Sequence, residues 1–185
     1  MVTLAEQEIR GKIASLGKLT FSEFMELALY HKIDGYYSRN HNIGSNGDYY
    51  TSSLSHPAFG ALIAIQLHSM WESLGHPSSF YAIELGMGTG QLARDIKNYL
   101  PNLPDNFRSA LRYIGIDRSS GIIRHQEDTA IQTITSNGLP MRGLVGCIFS
   151  NELLDSFPAH RFKTKNGKIR EVYVKLTNDN WGEIL

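Results

Sequence analysis

Ile83-Glu84-Leu85-Gly86-Met87-Gly88-Thr89-Gly90 is the stretch that decides the fold. It ends the short apolar run FYAIELG (80–86) and leads into QLARDIKNYL (91–100), which reads as a helix. A glycine-rich turn between a strand and a helix lets backbone approach a ligand closely, because no Cβ stands in the way. The spacing sorts the ligand classes. Dinucleotide sites favour G-x-G-x-x-G, with pyrophosphate on the helix N-terminus. Here the glycines fall at 86, 88 and 90, the third slot of that pattern is Gln91, and Glu84 precedes the first glycine by two positions. An acid at that point suits a ligand that lacks phosphate and carries a cationic amino-acid end. S-adenosylmethionine is such a ligand. The competing readings are a nicotinamide dinucleotide site and a tight turn with no ligand.

Working outward, RYIGID (112–117) and LVGCIFS (144–150) are further apolar runs of strand length, with a helix expected over 119–136 between them. Strand, helix, strand, helix, strand argues for a parallel sheet of βαβ units. Asp117 ends the second strand, where an acid accepts hydrogen bonds from ribose hydroxyls or else caps a helix. After the third strand come Asn151, Glu152 and Asp155, one amide and two carboxylates on the ligand edge of an open α/β sheet. Carboxylates there can clamp a guanidinium bidentately and aim its nitrogen at a transferred group; they equally read as caps of a following helix. No further strand is evident between Asp117 and Leu144, where IQTITSNGLP reads as the end of a helix.

The flanks are different in kind. Leu4, Ile9, Ile13 and Leu16 predict a helix over 3–16 ending at Gly17. Thr20 and Glu23 form a capping box for a helix through Tyr30. Residues 31–55 read as a long structured loop, in which Gly44 and Gly47 permit tight turns. Ser55 and Pro57 open a helix whose apolar side is Leu62, Ile65, Leu67 and Met70, ending at Gly75. Alternation on both sides of Asn166-Gly167 is a hairpin signal. Lys163, Lys165 and Lys168 flank its turn as a solvated rim that could guide an acidic partner. The expected division is a helical extension with a loop over residues 1–78 and a Rossmann-like core with the hairpin over 79–185.

Composition narrows the function classes. The 185 residues carry 18 Lys and Arg against 18 Asp and Glu, a formal net charge of zero, which argues against a general nucleic-acid binder. No run approaches a membrane span, and the single cysteine, Cys147, excludes an internal disulfide framework. The start lacks the basic and apolar regions of a secretory signal, and Glu6 and Glu8 make it too acidic for a typical mitochondrial transit peptide, so the expected location is cytoplasmic. The seven histidines lack zinc spacing, and no metal is expected.

Several stretches together resemble the MidA-like family of class I S-adenosylmethionine-dependent methyltransferases. They are Phe24 to His31 with Gly35-Tyr36-Tyr37, Ile43 to Ser52, Pro57 to Gly60, Asn151 to Pro158 with His160-Arg161-Phe162, and Arg170 to Val174. The resemblance covers about residues 19–176. It implies a protein methyltransferase acting on arginine, with a respiratory-complex subunit as the family's substrate. Glu84, Gly86, Gly88 and Gly90 would receive the methionine part of the cofactor and Asp117 its ribose. The loop carrying Gly47, Asp48, Tyr50 and Thr51 would cover it. The family's sheet has seven strands. Three parallel runs and a hairpin fall short of that, so a C-terminally incomplete α/β core is expected. Its exposed sheet edge would be covered by a second copy or by rearrangement.

Overall fold

The computed structural model describes residues 2–38, 56–118 and 131–185. Its contacts divide the chain into two compact units, one of Asn42–Leu153 and one of Met1–His41 together with Leu154–Leu185. This grouping differs from a division at residue 78. The helix before the first parallel strand packs with the sheet that follows it, and the hairpin and last strands belong with the N-terminal helices.

In the unit of residues 42–153, β2 (Phe80–Leu85), β3 (Leu111–Asp117), β4 (Gln132–Thr135) and β5 (Gly146–Ser150) form a parallel sheet of order β4-β3-β2-β5. Ile83 lies opposite Ile114 on one side and Ile148 on the other. One face of the sheet is covered by α3 (Ala58–Ser73), α4 (Gln91–Tyr99) and α5 (Asp105–Ala110), where Ala64, Leu67, Trp71, Phe80, Ile96 and Phe107 make the main core. On the opposite face Ile83, Ile114 and Ile116 cluster with Ile134 and Met141.

Two expectations are corrected here. Residues 132–135, expected to finish a helix, form β4 instead and pair in parallel with β3, from Ile114 opposite Gln132 to Asp117 opposite Thr135. Alternating Ile and Thr suit a pleated, half-buried edge, and four such residues are too few to show a period. On α3, Leu67 and Met70 pack at the core as expected, but the first two residues of the expected apolar side do not. Leu62 is 65% exposed and Ile65 is 41% exposed, whereas Gly60, Ala64, Leu67 and Trp71 are buried. Small residues win because α3 and α4 lie very close. A Cβ on Gly60 would come within 2.4 Å of Asp95 Cβ and 3.0 Å of the Ile96 backbone nitrogen. Ser55, expected as the cap of α3, lies outside the described residues; the Ala58 amide instead donates to His56 Nδ1 at 3.0 Å.

The other unit opens with α1 (Leu4–Leu16), capped by Thr3 and closed by Gly17 in the left-handed region. Next come β1 (Leu19–Thr20) and α2 (Phe21–Tyr30), which starts with the expected Thr20–Glu23 capping box. The hairpin of β6 (Phe162–Lys165) and β7 (Lys168–Glu171) turns at Asn166 and Gly167, with φ of 52° and 71°. Both values are positive, as a two-residue type I′ turn requires. Then β8 (Tyr173–Thr177) and β9 (Asn180–Ile184) join β1 in an antiparallel sheet of order β1-β8-β9. Ile9, Ile13, Leu19 and Val174 form the core of this unit.

Gly60→Ala is expected to destabilise the fold by about 1–3 kcal/mol, since the new methyl must force α3 away from α4 backbone. A urea midpoint shifted down at unchanged slope would show it.

Candidate functional site

The turn after β2 is built from three glycines in the left-handed region, with φ of 70° at Gly86, 52° at Gly88 and 73° at Gly90. Its amides are tied to the neighbouring strand. The Gly86 amide donates to the Ile116 carbonyl at 2.8 Å, the Met87 amide to the same oxygen at 3.3 Å, and the Gly88 amide to Asp117 Oδ2 at 3.0 Å. The tips of β2 and β3 are thereby fastened together, which brings the expected Glu84, Gly86, Gly88, Gly90 and Asp117 to one end of the sheet. A Cβ on Gly86 would meet Leu153 at 2.7 Å, whereas one on Gly88 would meet nothing among the described residues within 4 Å. Gly86 thus sits against the Leu153 side chain and is favoured there by its positive φ, while Gly88 leaves an open backbone face.

Glu84 is 3% exposed, one of two buried charged side chains among the described residues. Burial pushes its carboxyl up to about 7; the hydrogen bond from Tyr113 pulls the other way, and the nearby Asp117 charge adds to the rise. Tyr113 Oη donates to Glu84 Oε2 at 2.5 Å, and burial with the adjacent carboxylate raises the phenol in turn. A carboxyl poised near neutrality beside a glycine cradle is suited to receive a cation, which would favour its ionised form.

The start of α4 explains Gln91. Its Nε2 donates to buried Asp95 Oδ1 at 2.9 Å, and its Oε1 accepts from Arg94 at 3.0 Å. Arg94 also donates to the Thr89 carbonyl at 2.9 Å, which holds the turn from the helix side. The position a dinucleotide fingerprint reserves for glycine is thus occupied by a side chain that satisfies a buried acid. Gly90, at the cap position, offers no side-chain hydrogen bond to the first turn.

Of the remaining expected residues, Asn151 and Glu152 follow β5 directly, and Glu152 has a positive φ of 50°. That strained backbone bends the chain so that Leu153 reaches Gly86. Asp155 belongs to the other unit, in a 3-10 turn at Leu154–Ser156 where Tyr30 Oη donates to the Ser156 carbonyl at 3.0 Å. Gly47, Asp48, Tyr50 and Thr51 lie outside the described residues. Among the described residues, no group of three or more His, Cys, Asp or Glu is gathered to hold a metal ion.

Sequence reasoning passed over Tyr113, Arg94 and Gly115. A Cβ on Gly115 would meet Met87 Sδ at 2.0 Å, so this glycine makes room for the turn's own side chain. Strand alternation puts Tyr113, Gly115 and Asp117 on one face of β3; Gly115 is the cross-strand partner of Glu84, and Tyr113 reaches the acid diagonally from two residues earlier.

A family model described as "Putative S-adenosyl-L-methionine-dependent methyltransferase" matches residues 62–183. The chain is 26% identical over 203 residues to the Drosophila melanogaster "Protein arginine methyltransferase NDUFAF7 homolog, mitochondrial", covering 96% of this chain and 46% of the relative. It is 28% identical over 192 residues to the Xenopus tropicalis "Protein arginine methyltransferase NDUFAF7, mitochondrial", covering 89% and 44%. The chain therefore spans about half the length of the curated relatives it matches. A Burkholderia thailandensis crystal structure bound to S-adenosyl-homocysteine matches with a TM-score of 0.82 at 24% identity, over 97% of this chain and 49% of that one. A native crystal structure from the same organism gives 0.75 at 22%, over 97% and 47%. These likenesses show the Rossmann-like α/β fold. The expected cytoplasmic location is corrected: the curated relatives are named as mitochondrial proteins. The acidic residues that argued against a targeting peptide belong to α1, a packed helix of the fold, and carry no information about destination.

The raised carboxyl makes a stability prediction. Folded Glu84 keeps its proton to about pH 7, while an unfolded glutamate loses it near the ordinary 4.5. The folded state thus binds more protons between those values, and stability falls as pH rises through that window, by an amount on the order of 3 kcal/mol. Glu84→Gln is expected to flatten this slope and to unfold at higher urea than the unsubstituted chain at pH 8, with no such advantage near pH 4.

Proposed function

Because the chain belongs to the S-adenosyl-L-methionine-dependent methyltransferase family whose model matches residues 62–183, we propose that it binds S-adenosylmethionine at the β2 turn and serves in methylation of a protein arginine. The observation that carries the reading is buried Glu84 beside the open backbone face of Gly88, with Asp117 fastened to that same glycine. These residues fit the cofactor. Glu84 supplies a carboxylate for an ammonium, Gly88 admits close approach, and the Asp117 carboxylate is a ribose acceptor of the kind found at the second strand tip. When bound, the cofactor would supply a methyl group activated by its sulfonium. Glu84 and Gly88 would fix its amino-acid end, and the first turn of α4, with no side-chain cap, would offer amides to its carboxylate. Gly47, Asp48, Tyr50 and Thr51 remain part of the proposal as a cover that excludes water.

On the acceptor side we assign Asn151 and Glu152, next to the turn through Leu153, to hold a guanidinium and orient its nitrogen. Asp155 is a separate proposal for the same task. Support for a protein substrate comes from the relatives' names, which specify arginine methylation; a respiratory-complex subunit is the substrate class that the resemblance adds. A second copy of the chain along the outer edge of β5, where Ile148 is 53% exposed, belongs to the same proposal. The alternative, a cofactor-binding assembly domain with little catalysis, differs only in the last step.

Calorimetric titration with S-adenosylmethionine and, separately, with a nicotinamide dinucleotide tests the site. Binding of the methyl donor alone is expected; binding of the dinucleotide alone would overturn the reading. Gly88→Val places a branched side chain in the left-handed region and on the open face, and should lower donor affinity at least about tenfold with the fold retained. Glu152→Gln and Asp155→Asn are expected to leave donor affinity intact and to reduce methyl label on protein in lysate. Retained donor binding with no label on any protein would favour the assembly role.

A further inference from the structure

The hairpin of β6 and β7 has no part in the cofactor site, yet its register is unusual. Cross-strand partners are Lys163 with Arg170 and Lys165 with Lys168 on one face, and Phe162 with Glu171 and Thr164 with Ile169 on the other. Four cations therefore share one face of a ribbon whose residues 162–170 are all exposed. Like charges directly opposite each other destabilise a strand pair, and an isolated two-stranded hairpin is marginal to begin with.

The acids nearby offset this at Lys163 alone among the four. Glu183 divides its two oxygens between Arg161 and Lys163, the latter at 2.8 Å, and Glu171 is held by His160 at 2.5 Å on the other face. Among the described residues, Lys165, Lys168 and Arg170 make no ion pair or side-chain hydrogen bond. Three of the four cations are thus left without an acid, and an anionic segment laid over the face would relieve their mutual repulsion.

The layout also selects the kind of anion. Cations along each strand repeat every two residues, roughly 6.6–6.8 Å, which is the repeat of alternate side chains in any extended segment. Nucleic acid is disfavoured because the aromatic Phe162 lies on the opposite face, leaving no stacking platform among the cations. An anionic membrane is disfavoured for a related reason: Phe162 and Ile169, the apolar groups that would enter it, point away from the charge.

We propose that the face formed by Lys163, Lys165, Lys168 and Arg170 docks an acidic protein segment in extended conformation, its carboxylates at alternate positions. The surface is separate from the cofactor reading and stands without it.

The test uses the whole 185-residue chain and a fluorescent peptide of alternating Glu and Thr, with anisotropy followed over a salt series. Lys168→Glu is the informative variant. It places opposite charges across the ribbon at Lys165, so the hairpin gains stability while the docking face loses two units of charge. Affinity for the peptide is expected to fall roughly tenfold at low salt while the thermal midpoint stays level or rises, which separates binding from folding. Lys32→Glu, an exposed position outside the hairpin, should leave peptide affinity within about twofold. Absence of peptide binding by the unsubstituted chain, or equal affinity in Lys168→Glu, would overturn the proposal. So would tighter binding of duplex DNA or of phosphatidylserine vesicles that is lost in the same variant.

Discussion

One carboxylate taken out of water organises the glycine-turn end of the sheet. Glu84 lies near the end of a strand buried on both sides, and it accepts a hydrogen bond from a phenol on the neighbouring strand. Keeping an acid there requires the tips of β2 and β3 to stay together. The paired amides on the Ile116 carbonyl and the Gly88 amide on Asp117 do that, and Gly115 leaves the space in which Met87 closes over the junction. Each glycine in this region answers a different steric demand: Gly86 yields to Leu153, Gly115 to Met87, and Gly88 to nothing among the described residues.

Local chemistry was legible from sequence where a short-range rule was sufficient. Thr20 and Glu23 mark a helix start because the reciprocal bonds lie three residues apart, and Asn166-Gly167 marks a turn because few residues tolerate two positive φ values in succession. The strands ending at Leu85, Asp117 and Ser150 were readable as apolar runs, and the helical stretches between them argued for parallel pairing, but their order in the sheet was not readable. What escaped depends on partners distant in sequence. β4 is four residues long and gains its identity only from pairing with β3, so Ile131 to Thr135 could be read as helix. In α3 the larger residues Leu62 and Ile65 suggested the inner side, but close approach to α4 is governed by Gly60 and Ala64.

The site was legible in its backbone and less so in its supports. The glycine spacing and the acids at 84 and 117 could be read directly. Tyr113 could not, because its contact with Glu84 joins two strands whose register emerges only in the fold. Arg94 and Gln91 likewise look like ordinary helix-surface residues until buried Asp95 and the Thr89 carbonyl give them partners.

The pairing of β1 with β8 joins Leu19 to Val174. A ribosome therefore releases α1 and α2 long before the strand that completes their sheet exists, whereas residues 42–153 form a contiguous unit that can fold as it emerges. The first helices must wait with Ile9, Ile13 and Leu19 uncovered by Val174 until the last strands are made. Closing that sheet is a late, non-local event, and it sets the interval during which a nascent chain exposes apolar surface to chaperones.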